Sequence, residues 1–326
     1  MAIADDGTNS DNDQTVKVLA AAETLLSSLN EEQKQKVSFR FNDEKQRSNW
    51  SNLPSGIYQR SGLRMGDLSD VQKEAVFEVI AATLSKKGYQ QVIDNVKGDE
   101  VLSGGGRRGR VIFGEAEYYF SLLGVPSRTE PWMWQFGGHH LAINATIFGD
   151  SIVLTPSLTG GQPISYSRNG QKVVQMQDEV EKAFALVNAL TPEQQEEAIL
   201  ANQFGDLLLG PGKDDTKAPE VGIHAAALSP EQKSMLLALI KERVGLLNDE
   251  DAAEKMAEIE SHLDEAHFCW MGPTNAGAAV YYRVQSPCFV IEYAPQQLGE
   301  KAAEHIHAMY RDPANDYGAA LLKAAK

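Results

Sequence analysis

The chain has 326 residues, 42% of them hydrophobic and 23% charged, with a formal net charge of −15. That balance is enough for a large buried core and excludes a wholly disordered polymer. The acidic excess argues against nucleic acid and anionic membranes, which need clustered Lys or Arg. No run approaches the eighteen or so apolar residues of a membrane span. The N-terminus, MAIADDGTNSDNDQT, is acidic where a secretory signal is basic and then apolar, so a soluble cytoplasmic protein is expected. Cys269 and Cys288 are too few and too far apart for a disulfide framework or a zinc ribbon, and buried free thiols are expected.

Residues 1–14 offer almost nothing to bury and are expected to be a disordered tail, and residues 15–326 are long enough for one large domain or two ordinary ones. A helix is predicted from Val16. Four helix starts follow, at Asn30, Ser69, Thr191 and Ser229, each with Leu before the cap and Gln at the third helical position. Consecutive starts are irregularly spaced and the sequence between them differs, so they are read as helix starts and not as a domain repeat. The polar connector NWSNLPSGIYQRSGLR holds Trp50, Asn52, Arg60 and Arg64, which suit a surface connection or an anionic substrate. One helix is predicted over residues 69–87, ended by Gly88, and more helix after it. GGGRRGR, residues 104–110, is neither a Walker loop nor a dinucleotide-binding turn. A short strand at 111–113 and a helix at 115–123 are expected next.

The organising stretch is PWMWQFGGHHLAINATIFGDSIVLTPSLTGGQP, residues 131–163. Read as a strand from His139 to Ile147, it puts His139 with the apolar Leu141, Ile143, Ala145 and Ile147, and His140 with Asn144 and Thr146. His140 is then the better metal ligand and His139 the supporting one. A helical hairpin is predicted across Thr191, and the Gly- and Pro-rich LLLGPGKDDTKAPEVG is the candidate lid or boundary. Strong helices follow, then strands at AAVYYRV and CFVIEY.

His305-Ile306-His307 can hold one ion only if it is extended, because i and i+2 share a strand face but lie about 200° apart on a helix. The strand is expected, since Arg311-Asp312-Pro313 ends the segment abruptly. Glu292, in the apolar CFVIEYAP, must be paired, ligated or protonated. It is a candidate fourth ligand, general base or tautomer-fixing acceptor, or else a cross-strand partner of Arg283. His262, Asp264 and His267 suit an exposed helix end. HExxH and GxSxG are absent.

NWSNLP, the 131–163 stretch, FCWMG, YYRVQSPCFVIEY and HIHAMYRDPANDYG together resemble the family filed as domain of unknown function 3500, over residues 42–322. The resemblance implies that His139, His140, Glu292, His305, His307, Arg311, Asp312, Asn315, Asp316, Tyr317 and Gly318 belong to the family pattern. It implies no catalytic assignment.

The expected fold is α+β, a single large domain with helices on a mainly antiparallel sheet. The expected function is a metal-dependent enzyme, hydrolase or oxidoreductase, acting on a small polar molecule. His140, His305 and His307, supported by His139, would bind a divalent zinc, iron, copper or nickel ion. Glu292, Arg283 and Arg311 would serve catalysis, as base and anion-holding groups. The alternative is a non-catalytic small-molecule or peptide binder whose pocket is lined by Trp132, Trp134, Tyr281 and Tyr282.

Overall fold

The computed structural model describes residues 14–104, 110–201, 205–296 and 301–324. The expected tail lies outside them except for Gln14, as do residues 105–109 of the GGGRRGR stretch. The first half of the chain runs α1 (Gln14–Ser28), α2 (Glu31–Val37), β1 (Ser38–Phe39), α3 (Glu44–Arg47), β2 (Leu63–Arg64), α4 (Asp70–Thr83), α5 (Lys86–Ser103), β3 (Tyr119–Leu123), β4 (Trp132–Gly138), β5 (Leu141–Phe148), β6 (Ser151–Val153) and β7 (Ser157–Gly161). A hairpin of β8 (Ser165–Arg168) and β9 (Gln171–Val174) follows. The second half then runs α6 (Gln177–Ala189), α7 (Pro192–Ala198), β10 (Ile199–Ala201), β11 (Ile223–His224), α8 (Pro230–Val244), α9 (Asp249–Ser261), β12 (His267–Met271), β13 (Tyr281–Ser286), β14 (Phe289–Pro295), β15 (Ile306–Arg311) and α10 (Ala319–Ala324).

The expected α+β single domain is present, and among the described residues thirteen strands form one mostly antiparallel sheet. Its order, β1-β3-β4-β5-β7-β15-β14-β13-β12-β10, reads the same from either end in terms of each half's elements. β2 pairs with β3 as β11 pairs with β12. The chain is therefore an internal duplication joined edge to edge at β7 and β15, which corrects the sequence reading. The four helix starts form two equivalent pairs, with Thr191 161 residues after Asn30 and Ser229 160 residues after Ser69. All four are capping boxes. Their Gln side chains also bond across each half, Gln33 with Gln72 and Gln194 with Gln232. The amide thus caps its own helix and ties it to the neighbouring helix start.

Two further expectations change. The helix predicted to end at Gly88 is broken at Leu84, because Ser85 caps a new helix through the Gly88 N–H. Gly88 lies inside that helix where Leu246 O approaches so closely that a Cβ would sit 2.0 Å from it. The helix expected at 115–123 is one 3-10 turn followed by β3, a short apolar run of the kind that periodicity cannot assign.

Alternation gives the sheet two different faces. On one, Trp134, Phe136, Ile143, Tyr282, Val284, Ile291 and Tyr310 pack under the helices in the main core. The other carries Gln135, Asn144, Arg283, Glu292, His307 and Arg311 among a smaller apolar set that includes Ala142, Leu158, Ala294 and Met309. Residues 40–62 and 205–222 are the equivalent described connections of the two halves, and side chains from both reach this second face. Trp132, Trp134 and Tyr282 belong to the helix-side core while Tyr281 lies on the other face, so these four do not line one aromatic pocket.

Candidate metal centre

β4 and β5 close on the pair Gly138↔Leu141, so His139 and His140 form a two-residue turn and not the start of a strand. His140 adopts φ 60°, the left-handed region that a non-glycine residue occupies only when its surroundings impose it. Here the His140 N–H donates to Asn52 O at 3.2 Å, and the Asn95 side chain donates to His140 O at 3.3 Å and to Gly160 O. It is thus the turn, and not the strand alternation expected from the sequence, that aims His140.

The His-Ile-His segment is extended as expected. His305 has φ −135° and ψ 107°, its carbonyl accepts from Gln296 N at 2.7 Å, and β15 begins at the next residue. His307 lies opposite Gly160 of β7 and Ala294 of β14. A Cβ on Gly160 would meet Ile306 O at 2.5 Å and the His140 Cβ at 3.2 Å. Glycine is what leaves room for the His140 ring beside β15.

These placements bring His140, His305 and His307 together, all buried, with one nitrogen from each within 4.8 Å of the others. His140 Nε2 and His305 Nε2 are 2.8 Å apart. Two zinc–nitrogen bonds of 2.0–2.1 Å at a tetrahedral angle need a separation of about 3.3 Å, so the rings must part by roughly half an ångström to admit an ion. The His140 ring centroid lies 5.0 Å from that of His307, and the His305 centroid lies 5.1 Å from it. The group can hold a metal ion.

Electrostatics keep the donors ready. Burial first, then the neighbouring imidazoles, hold His140 well below the usual histidine range, and burial with His307 and His139 lowers His305 to about 3. Both are neutral at physiological pH, the form that binds metals. Asp206 Oδ1 lies 3.3 Å from His307 Nδ1, so a proton on Nδ1 leaves Nε2 as the donor atom. Burial by itself would raise the Asp206 carboxyl, but the His307 ring, the Leu207 N–H and the Gln296 amide together hold it below the usual range.

His139 stands outside the three-ring group. Its Nδ1 is 2.7 Å from the buried Asp99, its carbonyl accepts from Tyr118 Oη at 2.8 Å, and its ring lies 3.6 Å from that of His140, centroid to centroid. Glu292 is fully buried on the same sheet face as His307 but is not in the group. Its oxygens accept from Leu208 N at 2.9 Å, Leu209 N at 2.8 Å and Tyr281 Oη at 2.7 Å. Arg283, its cross-strand neighbour, donates to Pro219 O and Tyr281 Oη. Arg311 donates to Leu209 O, Gly210 O, Asp214 and Asp316. These three residues therefore face residues 207–222, which places the candidate lid over this sheet face.

Arg64 is paired with Glu117 and Asp67, whereas Arg60 spans three backbone carbonyls through Nη2 and its buried Nη1 has no partner among the described residues. His262 caps the end of α9 and bonds Glu265. Both cysteines are free and buried. Sequence reasoning missed Asp99, Asp206, Asn95 and Gly160. Gly160 lies in the Gly-Gly of the organising stretch, but nothing in a single sequence links the other three to the histidines.

No helix among the described residues is long and apolar enough to cross a membrane. No curated protein and no solved structure matches the chain. A family model covers nearly all of it, from residue 11 to residue 319. The chain thus belongs to the family described as protein of unknown function (DUF3500), as the motifs around its histidines led one to expect.

Proposed function

We propose that this protein is a metal-dependent enzyme acting on a small polar molecule, with His140, His305 and His307 as the protein ligands of one divalent transition-metal ion. The observation that carries the reading is the convergence of three buried imidazoles, from a hairpin turn of one half and a strand of the other, to within 4.8 Å. Three protein ligands leave an ion at least one position for water or substrate, the pattern of catalytic sites as opposed to closed structural ones. When bound, the ion supplies Lewis-acid activation of an oxygen ligand, or electron transfer if it is a redox metal.

On this reading Asp206 orients His307, and the Asp99–His139 pair backs the His140 ring. Glu292, Arg283 and Arg311 act by holding residues 207–222 over the site. Imidazole donors suit zinc, iron, copper and nickel alike, so the metal decides between hydrolysis and oxidation. The test is elemental analysis of untagged protein from metal-replete cells, beside the double variant His305→Ala, His307→Ala. One ion per chain in the wild type and none in the variant is expected. An ion-free wild type, or equal content in both, contradicts the reading. Zinc points to hydrolysis, and iron or copper to oxidation.

A further inference from the structure

We propose that Asn52 is the hydrogen-bond donor to the oxygen atom that occupies the ion's open position, and so the fourth functional side chain of the centre. The inference rests on the metal-centre reading above and adds to it a residue that touches the bound substrate or water.

The Asn52 Nδ2 lies 3.1 Å from His307 Nε2 and 3.2 Å from His307 Nδ1. With the Nδ1 proton directed at Asp206, the lone pair is on Nε2, and the Asn52 amide lies against the atom that an ion would take, nearly equidistant from the two ring nitrogens. Metal entry removes that acceptor. The half-buried Asn52 N–H then needs a new acceptor, and an oxygen ligand on an ion at His307 Nε2 would lie within its reach.

The backbone on both sides of Asn52 is pinned, which fixes the point from which its side chain reaches the site. Arg60 donates to Ser51 O and Leu53 O, both at 2.6 Å, and to Gly138 O at 2.8 Å at the mouth of the histidine turn. The Asn52 carbonyl itself accepts from His140 N. Arg60 is thus a positioning residue: it fixes the carbonyls flanking Asn52 to the turn that carries His140. The donor and the ligand whose open side it serves move as one unit.

The test uses the full chain loaded with cobalt(II), whose visible absorption reports both ion binding and a change in its ligands, with acetohydroxamate as the oxygen-donor probe. Asn52→Ala and the near-isosteric Asn52→Leu should hold cobalt within about threefold of the wild type, yet bind acetohydroxamate at least about tenfold more weakly, as loss of one hydrogen bond to a charged oxygen implies. Unchanged probe affinity in a folded variant overturns the donor role while leaving the metal centre standing. Loss of cobalt itself in both variants also overturns it, since Asn52 would then be a ligand. A wild type that binds no cobalt overturns the metal centre and this inference together.

Discussion

The two halves of the molecule build the same hairpin and finish it differently. In the first half the turn between β4 and β5 is His139-His140; in the second, the turn between β13 and β14 closes on Ser286↔Phe289 with Pro287-Cys288 at its tip. A helix side chain reaches the carbonyl of the second turn residue in both: Asn95 donates to His140 O, and Lys255 donates to Cys288 O at 2.9 Å. Those residues are again 160 apart. Lys255, however, also binds Asp312 and Glu258 at 2.5 and 2.8 Å, so its corner is closed by ion pairs. The first half uses a neutral amide there and leaves its imidazoles uncharged. One scaffold thus gives a charge-neutralised structural corner and a neutral, donor-rich one, and only the second suits a cation that must displace nothing but a weak hydrogen bond.

Breaking each corner should separate these roles. Lys255→Ala leaves the buried Asp312 carboxylate without its cation and should cost about 3 kcal/mol in denaturant unfolding, with metal affinity unchanged. Asn95→Ala should cost less, about 1–2 kcal/mol, but weaken metal binding by loosening both the histidine turn and Gly160. Equal effects of the two variants on metal affinity would contradict the division of labour. Asp206→Asn keeps the shape but removes the carboxylate that orients His307, and should lower metal affinity about 10–100-fold in a competition titration with little change in stability. The smallest effects should be equal across the halves: Asn30→Ala and Thr191→Ala each remove one cap and should cost about 1 kcal/mol in thermal unfolding. A marked inequality would mean that the two capped pairs are not equivalent in energy as they are in geometry.

These contrasts also explain what the sequence could reveal. His305-Ile306-His307 was legible because i and i+2 spacing has one meaning in a strand and another in a helix. Alternation singles out His140 but does not apply in a turn, and the ring meets His305 and His307 because the turn aims it at β15. The repeat is hidden because successive helix starts are irregularly spaced and the regularity lies between alternate ones. The hairpin tips had also diverged from GGHH to QSPC. Asp206 and Asn52 meet at His307 only because the two long connections cross the same sheet face. Chain-distant residues brought together by loops leave no local pattern to read.

The measurement closest to the central claim is X-ray absorption on metal-loaded protein. The account predicts three imidazole nitrogens at about 2.0–2.1 Å with the remaining scattering from oxygen, and loss of the imidazole signature in His140→Ala. A spectrum with sulfur, or with oxygen alone, would place the ion elsewhere and contradict the three-histidine centre.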